Sequence, residues 1–269
     1  MAHCLYRTID RQKFQIPLSF LGFDFFLETP TEKERYFFMH HDESIIQKTI
    51  TFVHNRLQKE SSGHDWWHAE RVWKNALYIC RFEPTANMLT VQLAALLHDI
   101  ADWKFHDGDI EVGPKVAREF LTQHSIDDSV IDHVCEIMRT MSFKGEGVPA
   151  PMRTIEGKIV QDADRLDAMG AIGIARTFAF GGYTNREIYN PTIAPIKNAT
   201  AEQYKNIKTP SINHFYEKLL LLKNLMNTQA AKRLAEERHA FMELYLQMFF
   251  KEINVAQENA SQTSQNISA

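Results

Sequence analysis

Cysteine is scarce in this chain and never clustered. Cys4, Cys80 and Cys135 are the three present, far apart and without a CxxC pair. An odd, scattered set excludes a disulfide framework and a thiolate-closed structural zinc site, and it points to a reducing compartment. A strong charge of either sign is also missing. Lys+Arg number 30 against Asp+Glu 34, a formal net charge of -4, so nothing draws the chain generally to nucleic acid or acidic membranes. Residues 16–27 (IPLSFLGFDFFL) follow Arg11 and Lys13 and resemble a signal-peptide core, but they are too short to span a bilayer. Asp24 interrupts them, and no small-x-small cleavage site follows before the charged TEKER run. A cleaved signal is disfavoured and a cytoplasmic location is expected. Also absent are a fixed-period repeat and any alternating strand pattern longer than a few residues. The fold class expected is all-α.

What is present is ordinary for a folded domain: 269 residues, 44% hydrophobic and 24% charged. Residues 44–59 carry Ile45, Ile46, Ile50, Val53 and Leu57 at helical spacing. After Ser61-Ser62-Gly63, Asp65 is placed to cap a second helix with Trp66, Val72, Trp73, Ala76 and Ile79 on its apolar side. A third helix is expected from about residue 86 through the HDIAD segment. Two more are expected over 112–124 and 130–141, then a loop with two glycines and two prolines over 144–151. Residues 155–179 are apolar and rich in small side chains. Residues 181–210 show no period, and two closing helices are expected over 214–226 and 230–253. Residues 1–41 read as an extension of uncertain structure, with Met39 an alternative start of the folded part. Residues 42–254 read as the functional domain and residues 255–269 as a polar disordered tail.

The chemistry gathers at residues 94–104, AALLHDIADWK. An apolar run delivers His98 and Asp99 side by side, groups costly to bury without a partner such as a cation. His68 on the second helix and Asp164 in QDADRLD complete a set of two imidazoles and two carboxylates. That set suits one borderline divalent ion: manganese first, with cobalt, nickel, iron, zinc and magnesium also fitting. An octahedral ion would keep two positions for water and a phosphate oxygen.

The same residues resemble the H…HD…D signature of the HD-domain metal-dependent phosphohydrolases. The words GHDWWHAERV (63–72), ALLHDIADWKF (95–105) and IVQDADRLDAMGAIGIARTFAFGG (159–182) are similar to its YpgQ/YedJ-type subgroup. So are NHFYEKLLLLKNLMNT (213–228) and AEERHAFM (235–242). The resemblance covers residues 42–253 and implies an HD-domain helical bundle with additional C-terminal helices. It assigns the ligands to His68, His98, Asp99 and Asp164. Asp164 is preferred to Asp162 because the ADRL word of the related alarmone hydrolases has its ligand at that aspartate.

Other roles follow with less support from spacing. His64, four residues before His68, precedes the helix, so it is expected to contact substrate or support a ligand; a plain structural role competes. Asp167, at i+3 from Asp164, is a candidate supporting group. Asp102 shares a face with His98 if the helix continues, and it is expected to orient or deprotonate the attacking water. Arg71 and Lys104 are expected to hold phosphates. Arg165 and Arg176 flank the acidic block, and a structural salt bridge is preferred for Arg165. The tryptophans near the ligands read as core. The resemblance implies pyrophosphohydrolysis of (deoxy)nucleoside triphosphates to monophosphate and pyrophosphate. Phosphomonoesterase or phosphodiesterase activity, or a non-catalytic nucleotide sensor, are the alternatives. The expected partner is a small nucleotide or phosphoester, with no nucleic acid or membrane; the chain is compatible with a homodimer.

Overall fold

A computed structural model of the chain describes residues 42–58, 63–101, 109–143, 152–197, 200 and 208–266, with side chains over 43–254 of these. Among the described residues nine α-helices follow in order: α1 (Asp42–Leu57), α2 (Trp66–Cys80), α3 (Met88–Leu97), α4 (Val112–Gln123) and α5 (Asp128–Thr140). Then come α6 (Ile155–Asp167), α7 (Gly170–Tyr183), α8 (Asn213–Glu217), a 3-10 turn (Leu219–Leu225) and α9 (Gln229–Asn266). No strand occurs among the described residues.

The centre is α3. It is apolar on every side, with Val91 and Leu93 through Leu97 buried, and such a helix is stable only when surrounded. It is surrounded by α1, α2, α5 and α6. In α2, Trp66, Ala69, Val72, Ala76 and Ile79 recur every three or four residues and are buried together. The α2–α6 contact is the most extensive of the bundle. Ile159, Val160, Ala163 and Leu166 supply the α6 side of the core. The expected cap is in place, because Asp65 accepts from the His68 N–H at 2.9 Å.

Three stretches differ. The third helix stops at Leu97 instead of running through HDIAD. His98 donates its Nδ1 proton to the Ala95 carbonyl at 2.9 Å, competing for the acceptor that the next helical N–H would use. Residues 155–179, for which the sequence set no element, form two helices broken after Asp167, where Gly170 adopts φ +69° and lets the chain reverse direction. Residues 214–226 are split as well. Glu217 is buried, accepting from the Ile196 N–H and the Thr209 hydroxyl, and four leucines in a row offer no single 3.6-residue face. The 3-10 turn solves this by stacking Leu219 and Leu222, three apart and both buried. Finally, α9 continues to Asn266, beyond the end that composition suggests.

Candidate metal centre

The end of α3, the start of α2 and the last turn of α6 bring four side chains to one point. His68 Nε2 stands 3.1 Å from His98 Nε2, 3.3 Å from Asp99 Oδ2 and 3.5 Å from Asp164 Oδ1. His98 Nε2 is 3.4 Å from Asp99 Oδ2 and 3.9 Å from Asp164 Oδ1. Both rings are tied from behind. His98 Nδ1 donates to Ala95, and His68 Nδ1 donates to Asp167 Oδ2 at 2.7 Å. With Nδ1 so engaged, each ring presents Nε2 to the cluster, the atom that would donate a lone pair to an ion.

Two lone pairs and two carboxylate oxygens facing each other inside a protein repel unless a positive charge lies between them. With ligand bonds of ~2.1 Å, adjacent positions of an octahedron stand roughly 3.0 Å apart. The observed separations, 3.1 to 3.9 Å, fall between that edge and the roughly 4.2 Å of opposite positions, so the residues fit a divalent ion. Electrostatics agree. Burial raises the Asp99 and Asp164 carboxyls, but His98, with His64 at Asp99 and His68 at Asp164, outweighs it and holds both below the usual range. Burial likewise depresses the His98 imidazole, yet Asp99 and Asp164 lift it to about 9. Without an ion the cluster keeps a proton in the place of a cation.

Behind His68 lies a second layer. Asp167, buried in α6, accepts from Arg71 Nε at 2.6 Å, Arg71 NH2 at 3.0 Å and Arg176 NH1 at 3.1 Å. Its carboxyl stays well below its usual range because bonds from His68 and Arg71 outweigh burial. Arg71, expected at the phosphates, is thus committed to the carboxylate that orients His68. Three residues beyond His68 on a helix, it points back towards α6. Arg176 also donates to the Gly63 carbonyl at 2.9 Å, tying α7 to the turn that carries His64. Gly63 has φ +92°, a conformation open to glycine.

His64 sits before α2, and its Nδ1 lies 2.5 Å from Asp99 Oδ2. It meets His68 and Asp99 closely enough to form a second three-residue ligand group beside His68, His98 and Asp164. Asp162 is on another face of α6. It accepts from the N–H and Nδ2 of Asn227 and from the N–H and hydroxyl of Thr228, at 2.8–2.9 Å, where α9 begins. Arg165 is buried and donates to the Leu225 carbonyl instead of the expected acid. Asp102 and Lys104 lie outside the described residues, as do Trp103 and Lys144. Because α3 ends at Leu97, helical spacing from His98 no longer positions Asp102. Sequence reasoning noted Arg176 beside the acidic block but gave it no partner: it is nine residues from Asp167 across a chain reversal, and no periodicity links the two. Lys218, at the break between α8 and the 3-10 turn, lies over the Phe143 ring at 5.7 Å and contributes to lowering the Asp164 carboxyl.

The HD domain family profile matches residues 66–169, the span from α2 through the end of α6. YpgQ of Bacillus subtilis is 40% identical over 205 residues, covering 76% of this chain and 91% of YpgQ. A solved Lactobacillus plantarum protein superposes with TM-score 0.69 at 36% identity, over 81% of this chain and all of that one. An HD-superfamily hydrolase from Bacillus thuringiensis superposes with TM-score 0.61 at 46% identity, over 80% of this chain and 99% of that one. YpgQ has also been solved in complex with ADP; that structure superposes with TM-score 0.61 at 38% identity, over 77% of this chain and 97% of that one. With the matched span enclosing the His–Asp cluster, this chain belongs to the HD-domain superfamily of metal-dependent phosphohydrolases, in the group that includes YpgQ.

Proposed function

We propose that the protein hydrolyses a phosphoanhydride bond of nucleoside or deoxynucleoside triphosphates, releasing a monophosphate and pyrophosphate. The observation that carries the reading is the convergence of His68, His98, Asp99 and Asp164 on one point. YpgQ has been solved with ADP, and that ligand supports a nucleotide substrate here. A divalent ion held by those four side chains, manganese being the first candidate, would supply Lewis acidity towards a phosphoryl oxygen and lower the pKa of water. The protein's own residues do the rest. Asp167 fixes the His68 tautomer, and Arg71 and Arg176 hold Asp167 ionised. His64 steadies Asp99. Asp164, the most exposed of the four ligands at 34%, faces the side from which substrate arrives. Asp102 orients or deprotonates the attacking water, while Lys104, with Lys218 on the Asp164 side, neutralises phosphate charge.

The test is a panel of nucleoside mono-, di- and triphosphates, cyclic nucleotides and phosphomonoesters, incubated with manganese, cobalt and nickel. Products are resolved by phosphorus NMR. Pyrophosphate from triphosphates is the expected outcome. Orthophosphate from monophosphates would make the protein a nucleotidase, and silence across the panel, with nucleotide still bound, would make it a sensor.

A further inference from the structure

Behind the carboxylate that orients His68 lies a cavity of about 320 Å³, lined by α2, the start of α7 and α9. None of the four converging side chains lines it. One wall is cationic, made by Arg71, Lys74 and Arg238, and the other is apolar, made by Met169, Ala171 and Ile172. Among the described residues Asp167 is the acid that faces it, and that carboxylate already accepts from Arg71, Arg176 and His68. Arg71 spends Nε and Nη2 on Asp167, which leaves its Nη1 for another acceptor. Lys74 reaches Glu70 at 3.1 Å on the exposed rim. Arg238 has no carboxylate of its own: Nη1 donates to the Leu166 carbonyl and Nη2 to Asn75 Oδ1 at 3.4 Å. Burial lowers its pKa, and Asp167 and Glu237 do not make up the loss. Three guanidinium groups thus surround one carboxylate, and the excess positive charge, half-buried, calls for an anion.

We propose that this cavity is a second ligand site, holding the phosphate group of a small monoester on Arg71, Arg238 and Lys74 with the organic body against Met169 and Ile172. Guanidinium donors match phosphate oxygens in geometry and charge. The first turn of α7 adds to them. Met169 caps that helix without a side-chain bond, and the N–H groups of Gly170, Ala171 and Ile172 have no acceptor among the described residues. Gly170 keeps Arg238 close to that turn, since a Cβ there would meet Arg238 Cγ at 3.1 Å. The volume is at the lower end for a small-molecule site, enough for a phosphate and a compact organic group. Asp167 stands between such a ligand and His68, so the ester bound here is not the one hydrolysed.

Isothermal titration of the full chain carrying His98→Ala reads this out, with phenyl phosphate and inorganic phosphate as probes at constant ionic strength. That background removes phosphate binding through an ion at the metal centre and leaves the cavity as it is. One saturable site is expected. Tighter binding of phenyl phosphate assigns the apolar wall to the organic body, and equal binding assigns the site to the phosphate group alone. Ile172→Glu, at a side chain 44% exposed, sets a like charge at the mouth and should weaken binding about tenfold or more. Lys74→Gln should weaken it about threefold. Arg238→Gln should weaken it as Ile172→Glu does, and Arg238→Lys should recover part of the loss. Ile172 and Lys74 are not core residues, so their variants should unfold at the wild-type temperature and keep the test open if Arg238→Gln does not fold. Absence of saturable binding by either probe overturns the proposal. So does binding that is indifferent to Ile172→Glu and Lys74→Gln.

Discussion

Asp167 accepts the Nδ1 proton of His68 at 2.7 Å, and the two residues are almost a hundred positions apart in the chain. This bond decides which nitrogen of His68 faces the cluster, so a carboxylate outside the four converging side chains sets the orientation of one of them.

Asp167→Asn should lower manganese affinity about 10–100-fold, measured by isothermal titration. The amide remains isosteric, but it cannot hold both guanidinium groups and fix the His68 tautomer. Unchanged affinity would mean that Asp167 serves only to pack α2 on α6.

His98→Ala should abolish metal binding altogether. His64→Gln should leave the ion bound within about tenfold and reduce turnover, as a group that steadies Asp99 would. Equal loss of metal from both variants, by mass spectrometry of the native protein, would make His64 a further ligand; loss from His64→Gln alone would place the ion in the alternative group of His64, His68 and Asp99.

Metal affinity should rise with pH. The His98 pKa of the ion-free protein is lifted to about 9, so at neutral pH the ion must displace a proton, and affinity climbs until pH passes that value. The stability of the ion-free protein should run the opposite way. A raised pKa stabilises the fold below the ordinary imidazole value, and that contribution is lost as pH climbs through about 9. Calorimetry in buffers of differing ionisation enthalpy should detect the released proton at pH 7. Absence of proton release would remove His98 from the ligand set.

Asp162→Ala should destabilise the protein by about 2–4 kcal/mol. Four donors at the start of α9 lose their acceptor, the two of Thr228 buried and the two of Asn227 half-buried. Metal affinity of the folded fraction should be intact. Loss of metal without loss of thermal stability would return Asp162 to the centre.

Cys80 should resist alkylation in the folded protein at pH 8, since burial, aided by Glu156 and Glu83, pushes its thiol up to about 11. Rapid modification by iodoacetamide, located by peptide mapping, would contradict the buried position given to α2.

The four converging side chains were legible because each sits in a local word whose residues also make its helix: a capped start before His68, an all-apolar helix ending at His98-Asp99, an acidic turn ending α6. Asp65 as cap and His64 outside the helix were readable for the same reason, since capping needs only a few neighbouring residues. The break at residues 214–226 was not. It depends on Glu217 finding Ile196 and Thr209, contacts that no local window contains.

By itself, then, the sequence determined an all-helical chain and the identity of the side chains that meet at the centre, because helix formation and capping are local. Only the tertiary structure decided what Arg71, Arg176 and Asp162 do, and which histidine Asp167 supports. Spacing pointed Arg71 to substrate and left Arg176 and Asp162 without a partner. Burial between α2, α6, α7 and the start of α9 instead made each one satisfy another buried group, and a charge removed from water must find its partner wherever the fold brings one.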